Sequence, residues 1–143
     1  RSGASVDEVA GLAESLVGRT RVYGTLDTLE NLQKGGRIGN AKALLGTLLS
    51  FKPGIEVRDG VVEEAGKPRT RKKALQWLAD KVLAEPAVEN LWIMHGQAPD
   101  LDDFFALIAD RFPREDVQIG VIGPVVATHA GPRVMGVCFQ VPG

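Results

Sequence analysis

The chain has 143 residues, 44% of them apolar and 24% charged, and its formal net charge is −1. That length supports one domain with a core of its own, while a charge near zero offers no general field for nucleic acid or an anionic membrane. The lone cysteine, Cys138, excludes a disulfide framework and predicts a reducing cytoplasm; the longest apolar run, near 119–127, is far shorter than the ~18 residues of a membrane span, and no signal peptide is visible.

The opening Arg-Ser-Gly-Ala-Ser lacks an initiating methionine, which predicts a fragment or a processed chain. Ser5-Val6-Asp7-Glu8 reads as a capping box, and Val6, Val9, Ala13, Leu16 and Val17 form one apolar helical stripe that Gly18 ends. A short strand at 21–23 follows, then a helix over 27–34 with Asp27 as N-cap, Glu30 three residues on and Gly35 as terminator. Asn40 caps a further predicted helix with Ala41, Leu44, Leu45 and Leu48 on one face. The period then changes: 55–58 alternates, Asp59-Gly60 signals a hairpin turn and 61–63 returns. Residues 71–85 are helical with Ala74, Leu75, Leu78 and Val82 inward, and Leu91–Met94 is a buried strand ending at His95-Gly96. Asp100 and Asp103 cap a helix that turns Leu101, Phe104, Phe105 and Ile108 inward. Two last strands, about 117–123 and 133–141, flank a loop holding Thr128-His129-Ala130-Gly131-Pro132. Without strict βαβ alternation, this order predicts an α+β domain whose largely antiparallel sheet is covered by helices.

Lys67, Arg69, Arg71, Lys72 and Lys73 crowd the start of the helix near Thr70. A helix N-terminus carries partial positive charge, so each cation there is misplaced by roughly 0.3–1 kcal/mol before screening. The cluster is either a solvated face or a docking patch for an acidic partner or phosphate. Nucleic acid fits less well, because no aromatics interleave and Trp77 falls a full turn later. In Gly35-Gly36-Arg37-Ile38-Gly39, the glycines suggest a tight turn presenting Arg37; the pattern is not GxGxxG and has no Walker lysine. His129, read as following a strand end, is either a satisfied structural residue or one aimed into a crevice, and His95 is placed alike. Two histidines and one cysteine without close ligand spacing give no support for a metal or cofactor. Asp100, Asp102 and Asp103 read as helix-start acids, and no Ser-His-Asp or Cys-His arrangement can be assigned.

Three blocks together resemble the C-terminal domain of the DegV family of bacterial fatty-acid-binding proteins. They are Leu29-x-x-Leu32-x-Lys34-Gly35-Gly36-Arg37-Ile38-Gly39, Lys67-x-Arg69-x-Arg71-Lys72-Lys73-Ala74-Leu75, and Ile122-Gly123-Pro124 followed by Thr128-His129-x-Gly131-Pro132. Leu49-x-x-Lys52-Pro53 and Asp59-Gly60 fall where that family has a strand and hairpin. The resemblance implies that residues 1–143 are the C-terminal, lipid-binding half of a two-domain protein whose N-terminal domain is absent. It implies a non-catalytic subunit that holds a long-chain fatty acid between the domains and presents it to a separate ATP-binding fatty acid kinase subunit. Transient contact with a membrane surface is compatible with that role. Arg37 and His129, with Gly36 and Thr128, would then be ligand-binding near the carboxylate, while Arg69, Arg71 and Lys72 would face the kinase. The family usually has Gly-Pro-Gly after the histidine turn; here Arg133 replaces the last glycine. Two rival readings are a small acyl hydrolase or transferase using His129, which lacks a nucleophile, and a structural or regulatory anion-binding domain.

Overall fold

The computed structural model describes residues 3–46 and 50–143. Leu48, expected on a helical face, and Leu49 of the Leu49-x-x-Lys52-Pro53 phrase lie outside the described residues, as do Arg1 and Ser2. Helix α1 (Val6–Val17) opens with the expected reciprocal capping box between Ser5 and Glu8. Strand β1 (Thr20–Thr25) leads to the short helix α2 (Glu30–Lys34) and a 3₁₀ segment, Gly39–Leu44, which buries Ala41 and Leu44. Strands β2 (Gly54–Arg58) and β3 (Val61–Gly66) form the hairpin. Its two turn residues, Asp59 (φ 50°) and Gly60 (φ 75°), both take the left-handed backbone that a tight primed turn demands. Helix α3 (Arg71–Leu83), strand β4 (Glu89–His95), helix α4 (Leu101–Ala106), strand β5 (Gln118–Val121), helix α5 (Pro124–Ala130) and strand β6 (Met135–Gln140) complete the order.

The six strands form one sheet in the order β3-β2-β1-β6-β4-β5. Four of its pairings are antiparallel, and only β4 with β5 runs parallel, joined by a crossover through α4. The α+β expectation therefore holds, with one parallel edge. Strand alternation sends Ile93, Met135, Val137 and Phe139 to one face, where Leu75, Leu78 and Val82 of α3 and Phe104 beyond them seal the main core. A second cluster of Leu26, Leu29, Leu32, Ala41, Leu44 and Val134 closes around Ile55 at one end of the opposite face. Between β2, β3 and α3, Trp77 lies flat over Gly54 and Gly66: a Cβ at either would stand 2.7 or 2.5 Å from the indole.

Four expectations are corrected, the first being Asn40, which caps no helix but lies inside the 3₁₀ segment and donates its side-chain amide to Glu63 at 2.7 Å. The segment read as a loop containing His129 is helix α5, with Pro124 at its first turn and Gly131 (φ 81°) ending it. Its β-branched Val125-Val126 pair imitates a strand, yet proline sets the helical φ and needs no donor there. Asp27 does not cap α2; Leu29 is the N-cap, and the Asp27 carboxylate is drawn to Lys52 (3.2 Å) and Arg133 (3.7 Å) instead. Asp100 sits at the N-cap of α4 without making a capping bond, because its carboxylate is claimed by Arg71. Among the described residues, no helix is long and apolar enough to cross a membrane.

Candidate functional site

The residues singled out by sequence fall into two groups. In the first, Gly35 ends α2 by donating its N–H to the Asn31 carbonyl at 3.0 Å, and Gly36 (φ 67°) turns the chain sharply. Arg37 follows, exposed, with its amide bound to the Leu32 carbonyl at 2.9 Å and its guanidinium donating to the Gly35 carbonyl at 3.1 Å. Gly39 (φ 53°) lies so close to β3 that a Cβ would be 2.5 Å from the Val62 carbonyl oxygen. The glycines thus shape a turn that holds Arg37 out from the fold.

His129 comes to the same place from α5, which packs against α2. Its half-buried ring rests on Gly35, where a Cβ would stand 2.1 Å from Nδ1. That Nδ1 is buried without a hydrogen-bond partner among the described residues. Gly35 is therefore the common neighbour of Arg37 and His129: its carbonyl takes the guanidinium and its bare Cα makes room for the imidazole. Thr128 is exposed and donates its hydroxyl to the Pro124 carbonyl at 2.8 Å, within its own helix. His95 stands apart from this group; its Nδ1 accepts the Ala98 amide at 3.3 Å, a structural bond that closes the turn after β4.

The basic segment divides. Lys67 pairs with Glu64 at 2.8 Å on the hairpin. Arg71 is turned inward, with Nε and Nη2 on the two Asp100 oxygens at 2.7 and 2.9 Å, and Nη2 also donates to the Arg133 carbonyl at 2.8 Å. This fork holds the Asp100 carboxyl below its ordinary value of 3.8, against burial, which pushes it upward; Arg133 adds a smaller electrostatic pull. Arg69, Lys72 and Lys73 are exposed, and among the described residues no carboxylate pairs with them. Thr70 caps α3 through its hydroxyl, which accepts the Lys73 amide at 3.2 Å. Lys72 and Lys73 rim a groove of about 780 Å³ between α3 and α4 with Leu75 and Leu107 inside it.

Sequence reasoning missed the feature with the greatest chemical reach. On the sheet face opposite α3, register places Ile55, Gly24, Gly136 and Met94 side by side across β2, β1, β6 and β4. Val22, Cys138 and Trp92 form the next row. A solvated sheet face carries polar side chains; this one is apolar, and Trp92 keeps 42% of its surface exposed. The paired glycines make the middle of the face shallow, giving a hollow of about 320 Å³ walled by Val126 and Ala130 of α5. Burial in it pushes the Cys138 thiol upward. Glycines inside strands, at 24, 120 and 136, were the available signal, since such positions mark close approach. Among the described residues, no group of three or more His, Cys, Asp or Glu stands ready to hold a metal ion.

Comparison with known proteins gives one consistent result. The family model described as "Uncharacterised protein, DegV family" matches residues 1–141. A DegV domain-containing protein of Streptomyces coelicolor is 36% identical over 95% of this chain and 50% of its own length. One from Clostridium perfringens is 32% identical over 97% of this chain and 50% of its own. The chain thus spans about half the length of the curated relatives it matches. Among solved structures, a fatty acid binding protein from Thermus thermophilus superposes with a TM-score of 0.83 at 31% identity, covering 98% of this chain and 52% of that one. Another from Streptococcus agalactiae gives 0.82 at 29% identity, covering 100% and 52%. The Streptococcus pneumoniae fatty acid kinase B3 protein, loaded with linoleic acid, shares the fold at a TM-score of 0.82 and 21% identity, over 98% of this chain and 51% of that one.

Proposed function

The chain belongs to the DegV family, and from that membership we propose that it supplies one half of a binding cleft for a long-chain fatty acid. The apolar trough beside α5 is the observation that carries this reading, because the helix that walls it also bears His129. Burying an acyl tail is worth about 0.8 kcal/mol per methylene, so a long chain brings on the order of 10 kcal/mol gross. Its carboxylate must stay paired or hydrogen-bonded. The tail lies along the open sheet face, and the head group reaches Arg37 and His129, with Gly36 letting the chain approach and Thr128 at the rim. A second domain, matching the other half of the relatives, closes the cleft from above. The two related fatty acid binding structures support the ligand class.

The role is that of a non-catalytic presenting subunit, and its partner is the ATP-binding subunit of a fatty acid kinase. Phosphoryl transfer calls for metal and phosphate ligands supplied by that partner. Of the three cations assigned to that contact, Arg69 and Lys72 are exposed to dock it; Arg71 is committed to Asp100 and contributes by holding the start of α3. Native mass spectrometry of the two-domain protein is the test of the ligand site. Arg37→Ala should lose most of the bound fatty acid, and unchanged occupancy would remove Arg37 from the site. For docking, charge reversal at Arg69 and Lys72 should weaken stimulation of the kinase while lipid occupancy stays constant; the opposite pattern would refute the assignment.

A further inference from the structure

Two segments run past each other in opposite directions. Asp27, Asn31 and Gly35 follow at four-residue intervals, while His129, Gly131 and Arg133 follow at two, and the structure joins them in reverse order. Gly35 receives the His129 ring. Asn31 Nδ2 lies 2.4 Å from where a Gly131 Cβ would be. At the far end, Arg133 Nε stands 3.7 Å from Asp27 Oδ2. The first two contacts depend on the absence of a side chain, so packing alone sets their closeness. The ion pair is the charged contact of the three.

Arg133 is also unusual in its backbone. Its φ of 60° lies in the left-handed region, which an arginine adopts only when its surroundings hold it there. The Gly96 carbonyl accepts its amide at 3.0 Å, and its own carbonyl accepts Arg71 Nη2 at 2.8 Å. Its main chain is thereby fixed to the residue that follows β4 and to α3, while its side chain reaches across to Asp27, ahead of α2. A glycine at 133 would make the same turn without that reach.

We propose that Arg133 is a positioning residue: by pairing with Asp27 it closes the seam between α2 and the His129 segment, and so fixes the spacing of Arg37 and His129. The inference rests on the reading of those two residues as the head-group site. Asp27 also pairs with Lys52 at 3.2 Å, which ties the same seam to the entrance of β2.

The test uses the two-domain protein with Arg133→Gly, Arg133→Lys, Asp27→Asn and the Arg133→Gly/Asp27→Asn double variant. Arg133→Gly relieves the left-handed backbone while removing the pair, so it keeps the fold intact. The dissociation constant of a fluorescent long-chain fatty acid is measured beside the imidazole NMR signals of His129, assigned with His129→Gln. Arg133→Gly and Asp27→Asn should each weaken binding by about two- to fivefold, the range of a half-exposed ion pair. Both should shift the His129 signals, the double variant should bind no worse than Asp27→Asn, and Arg133→Lys should recover part of the loss. In about 0.5 M salt, the gap between wild type and Arg133→Gly should narrow. Unchanged affinity and unmoved His129 signals in Arg133→Gly, or additive losses in the double variant, would overturn the proposal. Should the wild type bind no fatty acid, the proposed function fails, and the His129 signals alone then decide: shifted by both single variants they support the positioning role, unmoved they end it.

Discussion

Arg71 has two assignments open to it by residue type, a surface cation or a structural clamp, and its surroundings choose the clamp. Side-chain exposure of 14% for Arg71 and 15% for Asp100 shields the pair from most solvent, and the fork geometry uses both carboxylate oxygens. Asp100 titrates below its ordinary value because Arg71 hydrogen-bonds its charged form. A carboxyl whose folded value is depressed stabilises the fold fully above its unfolded value of 3.8 and loses that contribution as pH falls through the folded one. Arg71→Met should therefore cost on the order of 1–3 kcal/mol at neutral pH, after allowance for the solvent that reaches the pair. It should also flatten the acid side of the stability profile below about pH 4. Urea denaturation as a function of pH reads both effects; an acid limb identical to wild type would remove the clamp. That outcome was hidden in the sequence, where Arg71 is one of five cations and its partner lies 29 residues away. The same applies to Asp27, whose local context predicts a cap while Lys52 and Arg133 take its charge.

Elements were legible where neighbours along the chain decide them. The Ser5 capping box, the Asp59-Gly60 hairpin, the apolar periodicity of α3 and all six strands rest on spacing within a few residues. Helix α5 was not legible, because its valines favour strand and only Pro124 and Gly131 mark its ends. Packing between elements left an ambiguous trace. Gly54 and Gly66 stand at the outer ends of the two hairpin strands, where their lack of a Cβ seats Trp77 between α3 and the hairpin. Gly66→Ala should destabilise the fold by about 1–3 kcal/mol, as overpacking does. The indole should become more exposed, seen as a red shift and faster quenching of its fluorescence, with Trp92 replaced by Phe to isolate the signal. Wild-type stability and an unshifted spectrum would mean that Trp77 does not need that seat.

At the scale of the molecule, one face of the sheet is sealed by α3 and α4, and the other is only closed at one end. The open part is apolar, and so is the stripe on α1, where Val6, Val9 and Val17 keep 84%, 55% and 73% of their surface. Surfaces of this kind mark contact with a ligand or another part of a protein. The trough could not be read from the sequence, since it exists only once register sets Gly136 between Gly24 and Met94. The family resemblance carries the proposed ligand class, and the apolar sheet face is the observation that supports it.

Gly24 offers the cleanest probe of that basis, because a Cβ there meets nothing nearer than 3.6 Å and its φ suits any residue. Gly24→Val would fill the trough floor without breaking the sheet. Native mass spectrometry of the two-domain protein should find a long-chain fatty acid on the wild type, and an equally stable but largely empty Gly24→Val. A wild type free of lipid, or a variant that retains it in full, would contradict the account.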